Sequence, residues 1–164
     1  MLRRHLITSI ASAAVITLLP LGATAFAQSA TIEAAKLPAL QGGDFSTATS
    51  QLAERKGSNA AVKAFAKLEI TEQAAVAKAF GSRPGAAGIP ADKVAMLEKL
   101  KAADGAAFDM MYVDGQIAEH RELKAIHERY ARSGQDPMAK GASIVGITGI
   151  ESHLFLLQNI KRQL

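Results

Sequence analysis

Residues 59–80 read NAAVKAFAKLEITEQAAVAKAF. Val62, Phe65, Val76 and Phe80 recur at spacings of three, eleven and four, which a 3.6-residue turn places on a single stripe. Within that stripe sits Glu69, four residues after Phe65 and seven before Val76. A lone carboxylate among apolar neighbours is costly unless it is paired, protonated or bound to a metal ion. The segment therefore predicts an amphipathic helix and marks its first candidate for chemistry.

The same punctuation recurs on either side. Before it, Asp44 is a plausible N-cap for a helix through Phe45, Ala48, Leu52 and Ala53 to about Lys56, with Gly57 as its stop and Ser58 capping the next helix. After it, Gly81 ends the helix, and the three glycines and one proline of 81–88 read as a flexible connection. This stretch lacks the Lys-Ser/Thr of a phosphate-binding loop. Pro90 opens a short helix over 91–103, with Val94, Leu97 and Leu100 as its apolar side. Asp104 caps the longest element, 105–132, whose core stripe is Phe108, Met111, Tyr112, Leu123, Ile126 and Tyr130. Asp136-Pro137 then opens a last helix to about Lys161, with Ile150, Leu154, Leu157 and Ile160 inward. Gly141, Gly146 and Gly149 each weaken that helix, so its first half is expected to kink or fray. No period-two run and no internal repeat occurs. The fold class is all-α: an antiparallel four-helix bundle with a short extra helix in the crossover between the second and third long helices.

The N-terminus has the layout of a secretory signal peptide. Arg3, Arg4 and His5 form a positive n-region, residues 6–21 an apolar run, and Ala25-Phe26-Ala27 a small-residue cleavage site. The apolar run is shorter than the ~20 residues that span a bilayer core. Cleavage after Ala27 predicts a periplasmic or secreted protein, organised as signal peptide 1–27, tether 28–41 and helical domain 42–164. Without a cysteine there is neither a lipid attachment point nor a disulfide. Of the 19 Lys and Arg, Arg3 and Arg4 leave with the leader, so 17 face 15 Asp and Glu, a formal charge of +2. That is too little for a nucleic-acid partner, which normally shows as a clustered basic face. On 105–132, Arg121, Lys124, Arg129 and Arg132 are interleaved by Glu119, Glu122 and Glu128, the pattern of a solvated helix surface.

Three stretches carry a resemblance: GGDFSTATSQLAERKGSNAAVKAFAKLEITEQ, GAAFDMMYVDGQIAEHRELKAIHERYARSGQDP and ESHLFLLQNI. Together they resemble the bacterial family called domain of unknown function 4142, over about residues 40–160. The resemblance implies an exported protein with a ferritin-like bundle, and only weakly a function. Family members commonly carry Asp-His where Glu72-Gln73 stands here, and a Glu near Ser46; His120 and His153 fall where the family has histidines. The label "outer membrane protein" often given to members implies spanning strands of ~10 alternating residues, and the sequence has none.

The candidate site is Glu69 with Glu72, His120 and His153. Glu72 is three residues on from Glu69 and faces a similar direction. His120 lies between Ile117 and Leu123, His127 is seven residues further along that side, and His153 lies between Ile150 and Leu157. Carboxylate and imidazole donors suit iron, manganese or zinc. Di-iron bundles place Glu-x-x-His on two helices; no Glu here is followed by His at that spacing, and Glu119-His120 and Glu151-x-His153 point the wrong way round a helix to share one ion. The competing account is a set of buried polar groups bonded to one another, helped by Tyr112 or Gln116. No nucleophile elbow marks a hydrolase. The sequence thus points to a non-enzymatic binding or envelope-stress protein of unknown partner, with a metal-binding or redox protein as the alternative. Convergence of Glu69, His120 and His153 within ~5 Å separates the two.

Overall fold

The structure is a computed structural model that describes residues 32–164; the expected leader 1–27 lies outside the described residues. Five helices follow in order: α1 Leu37–Lys56, α2 Ala60–Ala79, α3 Ala91–Ala102, α4 Gly105–Ser133 and α5 Pro137–Lys161. Among the described residues there is no strand. The four long helices form a ring in which α1 packs on α2 and α4, and α5 packs on α4 and α2, while α3 lies outside against α1 and α4.

Contacts fix the directions. Ser46 meets Gln116 and Ser50 meets Tyr112, so α1 and α4 run antiparallel. His153 meets Glu69 and the later Glu72 lies against the earlier Gly149, so α2 and α5 do too. The crossover must then return along the length of the bundle, and α3 carries it. Near one end Gly85 meets Asp44, and at the other Lys56 reaches the carbonyl of Lys101.

The first helix begins at Leu37, seven residues before the expected Asp44 cap, so Leu37 to Gln41 of the expected tether are helical. Pro38 sits in the first turn, where a missing N–H costs nothing. Gly42 and Gly43 are interior. A Cβ on Gly42 would lie 2.6 Å from Leu123 Cδ2, and one on Gly43 2.6 Å from Gln73 Oε1, so these glycines are where α1 closes on α4 and α2. Asp44 instead accepts backbone N–H bonds from Gly85, Ala87 and Gly88 at 2.6, 2.9 and 2.9 Å. The connection expected to be flexible is wrapped round a buried carboxylate, with Gly85 and Gly88 in the left-handed region. At the start of α2 the cap is Asn59, which accepts from Ala61 N. Ser58 donates to Asp109 of α4 instead.

Three further expectations fail. On α3, Val94 is exposed, and Lys93 turns inward to pair with Glu119 and Glu122 over the ring of Phe45. Glu119 is therefore buried and does not belong to a solvated face. The last helix is continuous from Pro137 to Lys161 despite its three glycines.

The interior is layered. One apolar cluster gathers Val62, Phe65, Leu100, Phe108, Tyr112, Val113 and Leu157; a smaller one gathers Leu40, Ala77, Phe80, Tyr130 and Ala139. Between them on α2 stand Glu69 and Gln73, and on α4 His120, all buried. That polar belt holds the candidate site.

Candidate metal centre

Each helix brings its donor inward by register. The buried face of α2 runs Val62, Phe65, Ala66, Glu69, Gln73 and Ala77, so Glu69 shares the side that sequesters the aromatic rings. On α4, Tyr112, Gln116 and His120 succeed one another at intervals of four; on α5, Ile150, His153 and Leu157 do so at three and four. These faces meet at the bundle axis. His120 Nε2 lies 3.1 Å from His153 Nδ1 and 3.3 Å from Glu69 Oε2, and His153 Nδ1 lies 3.2 Å from the same oxygen. All three residues are buried. Phe65 covers both imidazoles, with ring centroids 5.9 and 5.2 Å away.

Every member of this triangle has a partner behind it. His120 Nδ1 donates to the backbone carbonyl of Gln116 at 2.8 Å; a carbonyl can only accept, so in the neutral ring Nε2 presents its lone pair to the centre. Gln73 Nε2 donates to Glu69 Oε1 at 2.9 Å, leaving Oε2 for the triangle. Glu72 Oε2 lies 3.1 Å from His153 Nε2, on the outer side of that ring. Glu72 thus joins the cluster as the neighbour of a donor, not at the triangle itself. Such outer contacts fix which nitrogen faces an ion and how the ring is turned.

The protonation pattern follows from these contacts. Burial pushes the Glu69 pKa up, but the neighbouring imidazoles of His120 and His153 more than reverse it and hold it at about 2. For His153, burial acts downward, and Glu69 and Glu72 overcome it, raising the ring to about 9. With His120 donating outward, the Nδ1 proton of His153 is shared with His120 Nε2. Glu69 Oε2 is close to both nitrogens but aligned with neither as a hydrogen bond, and it remains a buried oxygen without a donor.

The donors present suit a divalent transition ion. At metal–donor distances of about 2.0–2.1 Å, neighbouring ligands stand about 3.3 Å apart round a tetrahedral ion and about 3.0 Å round an octahedral one. The triangle edges of 3.1, 3.2 and 3.3 Å span that range. Two imidazoles and one carboxylate on one face leave the remaining positions open, a set found with zinc and with non-haem iron.

Of the four residues expected from sequence, Glu69, His120 and His153 converge and Glu72 stands one contact out. Gln73 was not foreseen in its supporting role, and Gln116, expected to help the polar groups, does so through its backbone carbonyl. The α1 network was not foreseen either: Gln116 Nε2 donates to Thr49 Oγ1 at 2.8 Å, and Ser50 Oγ lies 2.8 Å from Tyr112 Oη. A row of Ser and Thr on α1 gives no periodic signal of its own until its partner helix is known. His127 packs apart from the triangle, with Ser143 Oγ 3.1 Å from its Nδ1 and Phe80 edge-on to its ring.

Comparison with known families then supplies a placement. Residues 23–160 match the family described as domain of unknown function (DUF4142). The chain belongs to that family. The DUF4142 match runs through all three donor helices to Ile160, so it contains Glu69, Glu72, His120 and His153. No curated protein and no solved structure matches the chain. The DUF4142 description carries no activity, so the functional conclusion rests on the site's own chemistry. Among the described residues, no helix is long and apolar enough to cross a membrane.

Proposed function

We propose that this DUF4142 member is an exported, non-enzymatic binding protein of the cell envelope that holds one divalent transition-metal ion at the centre of its bundle. Glu69, His120 and His153 are its ligands; Glu72, Gln73 and Gln116 orient them. The observation that carries this reading is the buried triangle of two ring nitrogens and Glu69 Oε2, an oxygen with no hydrogen-bond donor. A cation there, taking the place of the His153 Nδ1 proton, satisfies that oxygen and both ring nitrogens at once. Zinc, iron and manganese all accept such donors. The leader features of residues 1–27 support export, with Gln28 as the mature N-terminus.

The test is calorimetric titration of chelator-stripped 28–164 with Zn²⁺, Mn²⁺ and, without oxygen, Fe²⁺. One ion per chain is expected, weakened about 100-fold or more in Glu69→Ala and His120→Ala. Glu72→Gln should weaken it only about 10-fold, the scale of an orienting partner. Equal binding by wild type and Glu69→Ala, or none by either, would leave the cluster a metal-free buried ion pair. Mass analysis of the chain released from the envelope tests export: an N-terminus other than Gln28 refutes the cleavage site.

A further inference from the structure

An ion bound by Glu69, His120 and His153 has to reach donors that solvent barely touches. The Glu69 and His120 side chains are 0% and 1% exposed, whereas that of Glu72 is 31% exposed. Glu72 also contacts His153 Nε2, the far side of a ring whose other nitrogen belongs to the triangle. It therefore touches both water and the site.

Its seat is supplied by α5. Gly149 lies one turn before His153, and a Cβ on it would fall 2.8 Å from Glu72 Oε1. Gly141 and Gly146 of the same helix have nothing within 4 Å of such a Cβ. A glycine weakens a helix interior wherever it occurs, but of these three only Gly149 makes room for a site residue.

We infer that Glu72 is the capture ligand of the metal centre, the carboxylate that takes a divalent cation from water and passes it to the buried donors. Gly149 is the positioning residue whose missing side chain seats it. The inference rests on the metal-binding function proposed above. A partly exposed carboxylate draws the hydrated ion in, and the ion exchanges its waters for protein donors stepwise, which avoids stripping its whole hydration shell at once. The ring of His153, bounded by Glu72 on one side and the triangle on the other, is the partition the ion passes.

Gly149→Ala and Glu72→Gln test this, with Gly141→Ala as the control. The added methyl of Gly149→Ala meets only the end of a flexible side chain, so the fold is kept and Glu72 is displaced. In the metal-free protein, exchange of the His153 Nε2 proton with water, followed by nitrogen-15 NMR, should quicken about tenfold or more in Gly149→Ala and stay unchanged in Gly141→Ala. In stopped-flow mixing with Co²⁺, followed by its visible absorption, Gly149→Ala and Glu72→Gln should bind about tenfold more slowly, the scale of electrostatic guidance. Gly149→Ala should weaken equilibrium affinity about tenfold, as Glu72→Gln does, because the same contact to His153 is lost, and the loss should lie in association, with dissociation unchanged. Wild-type association rates in both variants overturn the capture role. Unchanged ring-proton exchange in Gly149→Ala overturns the seat. Wild-type protein that binds no cobalt overturns the proposed function and the capture role with it, while the exchange measurement still decides the role of Gly149.

Discussion

Glu69 keeps its charge in a place that disfavours one, because His153 beside it keeps a proton. The two shifts work at opposite ends of the pH scale. Glu69 falls from its usual 4.5 to about 2, so it adds stability that is present above pH 4.5 and is lost as pH falls towards 2. His153 rises from 6.5 to about 9, so its contribution is complete below pH 6.5 and is lost as pH climbs to 9. His127 is pushed down to about 4, chiefly by burial; the unfolded chain takes up that proton first, and stability falls from pH 6.5 towards 4. Glu119, raised by burial against the pull of Lys93, acts the other way in acid and blunts that limb. The metal-free domain should accordingly be most stable near pH 6.5. On the alkaline side the slope cannot exceed about 1.4 kcal/mol per pH unit for the one proton involved. Urea midpoints from pH 4 to 9 measure it. The alkaline decline should vanish in His153→Gln; a decline that survives there would assign it to another group.

At the scale of the element, the glycines of this chain divide by what stands next to them. Gly42 lies against Leu123 and Glu119, and Gly43 against Gln73, whereas Gly141 faces open space. Gly42→Ala should therefore cost about 1–3 kcal/mol, the scale of overpacking a tight contact, while Gly141→Ala should stabilise by about 0.5–1 kcal/mol through helix propensity alone. Thermal midpoints of the two single variants check the opposite signs; stabilisation by both would mean that α1 yields freely against α4. The same division explains what the sequence could and could not reveal. Apolar recurrence at helical pitch reads correctly for α2, α4 and α5, and the bundle follows from it. The start of α1 does not, because a glycine pair that admits a neighbouring helix looks the same in one dimension as a pair that ends one. Val94 and Lys93 likewise exchange places because the pull on Lys93 comes from Glu119, 26 residues later.

The site spans the whole molecule, and its legibility divides accordingly. Glu69 stands out within a single helix, since a carboxylate in an apolar stripe calls for a partner; His120 and His153 stand out because they interrupt two other stripes. Which ring nitrogen faces inward, and that Gln73 and the Gln116 carbonyl stand behind the donors, depends on the register of α2, α4 and α5, which no local pattern records. That register also makes the metal question a question about global stability. The donors come from both helical hairpins, α1–α2 and α4–α5, so an ion that binds only their assembled form must resist their separation. Saturation at 100 times the dissociation constant should stabilise the domain by about 2.7 kcal/mol. For His153 Nδ1 to reach the ion its ring must first give up a proton, and that proton is held up to about pH 9. Binding therefore releases one proton, and the dissociation constant should rise about tenfold for each pH unit below 9. Thermal midpoints with and without Zn²⁺ at pH 6, 7 and 8 measure both effects together. The increment at a fixed sub-saturating zinc concentration should grow with pH and be absent in Glu69→Ala. An increment that is flat with pH, or that survives in Glu69→Ala, would place the zinc at surface carboxylates and not among Glu69, His120 and His153.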